Sequence, residues 1–317
     1  MSQTFKNRLS YLCTKVGRQI PVWTQGAGGN ISIKEGDRLW IKATGYRLDE
    51  VKESVGIAHV DYKKMVEVLN QNDWIESAAE ENYAKLIRET TLPGAGLGLA
   101  SMETGFHALL PGKYVAHFHS LASLLLYHEF TKDRARVLKW LQQKTDLEYA
   151  FIPVCRPGWI LSGKIKGHAS LYFLESHGII LHSDKDSLVE EWAILEKDFC
   201  KDFNYPLLYS LLTETKTFTE LFQQFATEPM PFKCYFPDIA VFSERIEKIL
   251  EPTSIPNHLL FPVSAIAKDR DMAELWLATQ LIYQMCPDFK EVPSEITSVV
   301  RDLPTEKIRR QRELNHD

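Results

Sequence analysis

Apolar positions along this chain fall into two rhythms, one of three to four residues and one of two, and the changes between them mark its elements. Phe5, Leu9, Leu12 and Val16 recur at helical spacing and predict an amphipathic opening helix. Gly26-Ala27-Gly28-Gly29-Asn30 then reads as a turn. Ile31-Ser32-Ile33 and Leu39-Trp40-Ile41 flank Glu35-Gly36-Asp37, which predicts a β-hairpin whose second strand ends at Thr44-Gly45. Helical spacing returns over 61–69 behind the cap Asp61. The stretch 93–98 reads as flexible, and a short helix over 103–110 is stopped by Pro111-Gly112. Residues 114–119 read as a buried strand and 120–127 as an apolar helix. Residues 170–174 and 179–181 form a strand pair about Ser176-His177-Gly178, and a helix over 186–199 turns Leu188, Trp192, Leu195 and Phe199 to one face.

Beyond about Asp202 the texture changes to helices joined by Pro-containing loops, with apolar runs over 208–212, 218–225 and 272–285. The charged tail, 306–317, reads as a frayed helix or as disordered. The expected division is a catalytic α/β domain over 1–202 and a helical C-terminal extension over 203–317. For the extension, an oligomer contact and a lid over the site are the two roles left open.

Chemistry concentrates in His117-Phe118-His119. Side chains two apart on a strand point the same way, so both imidazoles can reach one divalent ion. Val115, Ala116 and Phe118 make the strand apolar, so its histidines need partners. His177 stands in a turn between two apolar strands, and sequence alone does not bring it to the pair. Three protein ligands would leave a position open, as catalytic sites do. Glu103 has two readings, a helix cap or a general acid/base, and both stay open on spacing alone. His107, Cys155, Arg156 and His182 read as structural. The glycines of 26–30 can offer backbone N–H groups to an anion, but they form neither a Walker A sequence nor G-x-G-x-x-G opening a helix.

Composition removes several alternatives. The 37 basic and 42 acidic residues leave a net charge of −5, which argues against nucleic acid as the main partner. Five widely spaced cysteines without C-x-x-C spacing argue against a disulfide framework or a thiolate zinc site. The opening residues lack a signal-peptide core and no long apolar run follows, so no membrane segment is expected and a cytoplasmic location follows.

The ordered pieces carry a resemblance. Residues 26–33 (Gly26 to Ile33), then Leu39-Trp40-Ile41-Lys42-Ala43-Thr44-Gly45, then Ser101-Met102-Glu103-Thr104-Gly105-Phe106-His107, then His117-Phe118-His119-Ser120 and Ser176-His177-Gly178 resemble the class II aldolase/adducin family. Within it the sequence is most similar to the aldolase part of rhamnulose-phosphate aldolase/alcohol dehydrogenase proteins. The resemblance covers about residues 5–200 and is more specific for the family than for the reaction.

It implies an α/β/α sandwich around a mostly antiparallel central sheet, often assembled as a homo-oligomeric tetramer with sites between subunits. By position it implies a divalent metal, with zinc expected, on His117, His119 and His177. Glu103 is the implied catalytic carboxylate, and Gly29, Asn30, Thr44, Gly45 and Ser101 hold a substrate phosphate. The implied reaction is aldol cleavage or condensation of a sugar phosphate, with the metal as Lewis acid. Epimerisation or dehydration on the same site, and a non-catalytic adducin-like role, are the alternatives. Two departures stand out. Met102 replaces a serine common in relatives, and Leu99-Ala100 stands where an Arg-Pro pair is frequent.

Overall fold

Seven strands form one sheet in the computed structural model: β1 Asn30–Glu35, β2 Arg38–Lys42, β3 Ile57–Asp61, β4 Tyr114–Phe118, β5 Tyr149–Ile152, β6 Leu171–Leu174 and β7 Gly178–Ser183. The structure describes residues 2–71, 76–94, 98–165, 167–225, 228–301 and 303. Part of the expected flexible stretch, 95–97, and the charged tail lie outside these. The strands run in the order β3-β2-β1-β4-β7-β6-β5. All neighbours are antiparallel except β5 with β6, so the sheet is mostly antiparallel, as expected.

Among the described residues the first helices are α1 Ser2–Gly17, α2 Tyr62–Gln71, α3 Glu76–Thr90, α4 Thr104–Leu109, α5 Leu121–Lys132, α6 Arg134–Lys144, α7 Trp159–Lys164 and α8 Leu188–Asp202. The helical C-terminal region adds α9 Pro206–Thr213, α10 Phe218–Phe225, α11 Pro237–Ile249, α12 Arg270–Met285 and α13 Ser294–Val300.

Strand alternation produces the layers. Ile31, Ile33, Ala116, Phe118, Phe173 and Leu181 face one way and pack with Leu9, Leu12, Leu125 and Trp192 of α1, α5 and α8. Leu39, Ile41 and Val60 face the other way, against Met65 and Ile87 of α2 and α3, and Val115 and Ile180 meet Phe106 and Leu161 of α4 and α7. Helix starts follow their capping residues. Asp61 accepts from the Lys64 N–H, Ser120 from Ser123, Asp133 from Arg136 and Asp269 from Met272. The sequence pattern passed over β3, α3, α6, β5, α7, α11 and α13, whose apolar runs are short or broken by charge.

The C-terminal helices share a core with the first layer, where Phe222, Tyr235, Phe236 and Trp276 join the same apolar cluster as Leu121 and Leu125. A polar tie adds to it. The Arg47 guanidinium pairs with Asp271 and with Glu274 at 2.8 Å, and Glu274 also accepts the Gly26 N–H at 2.8 Å. The glycine turn before β1 is thus fastened to α12.

Glu196 of α8 is fully buried. The Trp23 indole N–H donates to both its oxygens, at 2.7 and 2.8 Å, and burial pushes its carboxyl up to about 8. A carboxyl raised on folding holds a proton that the unfolded chain has released. Its contribution is therefore complete below the ordinary carboxylate range and is lost as pH rises towards about 8. We expect Glu196→Gln to gain stability relative to wild type across that window, by about 1.4 kcal/mol per pH unit. Urea unfolding of both proteins at pH 5 and pH 8.5 measures this, and a constant difference between them would refute it.

Candidate metal centre and adjoining cavity

The site is assembled where β4 ends. His117 pairs across the sheet with Asn30 of β1 and Ile180 of β7, and it is fully buried. Its Nδ1 lies 2.9 Å from the Ile179 carbonyl, so that nitrogen carries the proton and donates. Nε2 is then the lone-pair nitrogen, buried and without a hydrogen-bond partner. His119 follows one residue after the strand.

His177 arrives from the β6–β7 turn, where Ser176 has φ 55° and Gly178 has φ 127°. A side chain at Gly178 would collide with the Phe118 carbonyl, so glycine lets this turn close against the end of β4. That contact brings His177 to the pair. One ligand atom from each histidine falls within 4.8 Å of the others, and all three residues are buried. Burial, then the neighbouring His177 and His119, holds His117 well below the usual imidazole range. It is the neutral form, the one that binds metals. Buried nitrogens without partners at His117 Nε2 and His119 Nδ1, beside a carboxylate, fit a divalent cation.

Glu103 Oε1 stands 3.4 Å from His117 Nε2 and 3.4 Å from His177 Nε2, and Asn30 Nδ2 donates to its other oxygen. Glu103 occupies the N-cap position of α4, but its side chain makes no capping bond. The Tyr83 hydroxyl accepts the Gly105 N–H at 3.0 Å and supplies that cap instead. The carboxylate faces the histidines.

Gly29, Asn30, Thr44, Gly45 and Ser101 line one cavity of about 40 Å³ together with Glu103, His119 and His177. Gly29 (φ 77°) lies so close to β4 that a Cβ there would sit 2.9 Å from the His117 carbonyl. The Ser101 hydroxyl accepts the Glu103 N–H at 3.3 Å. Lys42 also lines the cavity, and its ammonium donates to the carbonyls of Ala27 (2.8 Å) and Tyr46 (2.7 Å). Met102 forms part of the wall. His107 lies apart, bonded through Nδ1 to the Ser32 hydroxyl at 2.8 Å. His182 Nε2 contacts the Ala169 carbonyl at 2.7 Å.

Sequence reasoning missed the remaining wall. Pro237, Asp238 and Val241 of α11 and Val300 of α13 close the cavity from the C-terminal side. Asp238 Oδ2 is 3.1 Å from His119 Nδ1. The Pro-Asp pair announces a helix start, and no more than that is legible in it. One other group of metal-ligand type occurs among the described residues, His128, Cys286 and Asp288. There the Lys132 ammonium, 3.0 Å from Asp288, already supplies a cation.

The sequence model of the Class II Aldolase and Adducin N-terminal domain matches residues 8–185. Similar solved structures include the N-terminal class II aldolase domain of a conserved protein from Thermoplasma acidophilum. It is 18% identical, covering 62% of this chain and 92% of that one, with a TM-score of 0.49. An L-fuculose 1-phosphate aldolase is 17% identical, with 66% and 96% covered and a TM-score of 0.43. A sugar-phosphate aldolase from Thermotoga maritima is 16% identical, with 67% and 97% covered and a TM-score of 0.42. No curated protein sequence matches the chain.

Proposed function

The chain belongs to the class II aldolase and adducin N-terminal domain family, and from that premise we propose that it is a divalent-metal-dependent aldolase acting on a sugar phosphate. The observation that carries the reading is the convergence of three buried imidazoles and Glu103 on one point beside a cavity. His117, His119 and His177 would hold the ion, with zinc the expected occupant of such a nitrogen set. A bound divalent ion supplies Lewis-acid polarisation of the substrate's oxygens.

The chain's own groups do the rest. Glu103 Oε1 holds or releases a proton beside the reacting carbon, and Asn30 orients that carboxylate by donating to Oε2. Gly29, Asn30, Thr44, Gly45 and Ser101 offer neutral donors to a phosphate, a cradle compatible with an acidic chain. The proposed substrate is a ketose 1-phosphate, split into a dihydroxyacetone-phosphate-like fragment and an aldehyde. In this reading residues 1–202 form the catalytic part and 203–317 a helical extension, and the chain assembles with further copies of itself. No helix among the described residues is long and apolar enough to cross a membrane.

The cavity is far smaller than the roughly 300–1,000 Å³ of ordinary ligand sites. A bound sugar phosphate therefore widens the cavity or extends out of it into solvent. Aldehyde release from ketose 1-phosphates by the zinc-loaded protein is the direct test. Binding should compete with inorganic phosphate, and Thr44→Val should weaken it about tenfold, as expected for one lost hydrogen bond to a charged group. The zinc content should not change. Phosphate esters that neither bind nor react on metal-loaded protein would exclude this substrate class.

A further inference from the structure

We propose that Asp238 is a member of the metal centre, a carboxylate that the C-terminal helices deliver to the imidazole triad; the inference rests on the metal-site reading above.

Three observations converge on it. Asp238 is 3% exposed, lines the cavity, and holds Oδ2 3.1 Å from His119 Nδ1, a buried nitrogen with no hydrogen-bond partner. Its position is also built firmly. Phe236, directly before α11, is buried in the main core, with its ring centroid 6.5 Å from that of His119. Arg245 of α11 pairs with Asp269 at 2.5 Å, and Arg301 donates to the Ser243 hydroxyl at 2.7 Å. The helix that bears Asp238 is therefore fixed at its start, middle and flank.

An aspartate in the first turn of a helix ordinarily answers the helix dipole. That role is met at the surface and does not require a carboxylate to be buried against imidazoles. Metal-binding histidines commonly have a carboxylate beside them that fixes the ring or shares the ion. The C-terminal extension thus contributes a metal-facing group, and the site is incomplete in a chain that ends at residue 202.

The test uses the full chain and cobalt(II) as the probe. Wild type, Asp238→Asn, Asp238→Glu and Ile246→Val are titrated with cobalt, reading visible absorption bands, and zinc affinity is measured by chelator competition. Ile246 is buried on α11 away from the cavity and controls for packing. The expected result is a ~10–100-fold loss of affinity and altered cobalt bands in Asp238→Asn. Asp238→Glu should recover part of both, and Ile246→Val should match wild type. Unchanged affinity and bands in folded Asp238→Asn overturn the inference and leave the metal site standing. So does an equal loss in Ile246→Val, or no recovery in Asp238→Glu. A wild type that binds neither ion overturns the metal-site reading itself, and this inference with it.

Discussion

Replacing Glu103 by glutamine is expected to lower turnover of a ketose 1-phosphate by ~10²–10⁴-fold while the protein stays folded. The side chain keeps its length and can still accept from Asn30 Nδ2, so the wall of the cavity is preserved. What disappears is an ionisable oxygen 3.4 Å from two imidazoles. The competing explanation, a helix cap, predicts a different result. A lost cap costs about 1 kcal/mol of stability and leaves activity per folded molecule intact. Glu103 makes no capping bond and Tyr83 takes that task, so the stability loss should fall below that figure. Urea unfolding and single-turnover kinetics on the same preparations separate the two. Full activity in a destabilised Glu103→Gln would return the residue to a structural role.

The parts of this architecture written in neighbouring residues were legible beforehand. The β1–β2 hairpin needs only alternation and a turn that accepts positive φ at Gly36, and its register pairs Glu35 with Arg38 as the short loop requires. His117 and His119 are two apart, so strand geometry alone puts them together. His177 depended on something else, namely the placement of β7 beside β4 and the packing of Gly178 against Phe118. Only the family resemblance joined it to the pair, because pairing order is not a local property. Asp238 lay beyond both kinds of argument. It belongs to α11, which matches no part of the family's motif, and the group it reaches, His119, stands just past the end of β4.

Physical size explains the missed elements. β5 has four half-buried residues at the sheet edge, too few for a periodic signal. In α6 only Val137, Trp140 and Leu141 are buried, so its apolar stripe is diluted by charge. The α11 helix begins at a proline, which in a Pro-rich region reads as a loop until its buried face, from Ile239 to Ile246, is seen against α12 and α13.

The largest effect on the metal is expected from His177→Ala. Wild type should carry roughly one divalent ion per chain, zinc by preference, on three imidazoles. His177 sits in a turn and is 7% exposed, whereas His117 is fully enclosed in the sheet, so its removal disturbs packing least among the three. The backbone that shapes the turn, with Ser176 and Gly178 at positive φ, is untouched. A four-ligand zinc site of about 10–16 kcal/mol assigns on the order of 3 kcal/mol to each ligand, so zinc affinity should fall by ~10²–10³-fold. Protein purified without added metal should then contain little zinc, and aldehyde release should fall with the zinc content. Elemental analysis and chelator competition on wild type and His177→Ala measure both quantities. His107→Ala supplies the contrast: His107 is buried and bonded to Ser32, so its loss should lower stability while the metal is retained. Zinc retained in His177→Ala at wild-type affinity would remove His177 from the ligand set. The ion would then be held by other groups, and the approach of His177 to His117 and His119 would be a packing contact.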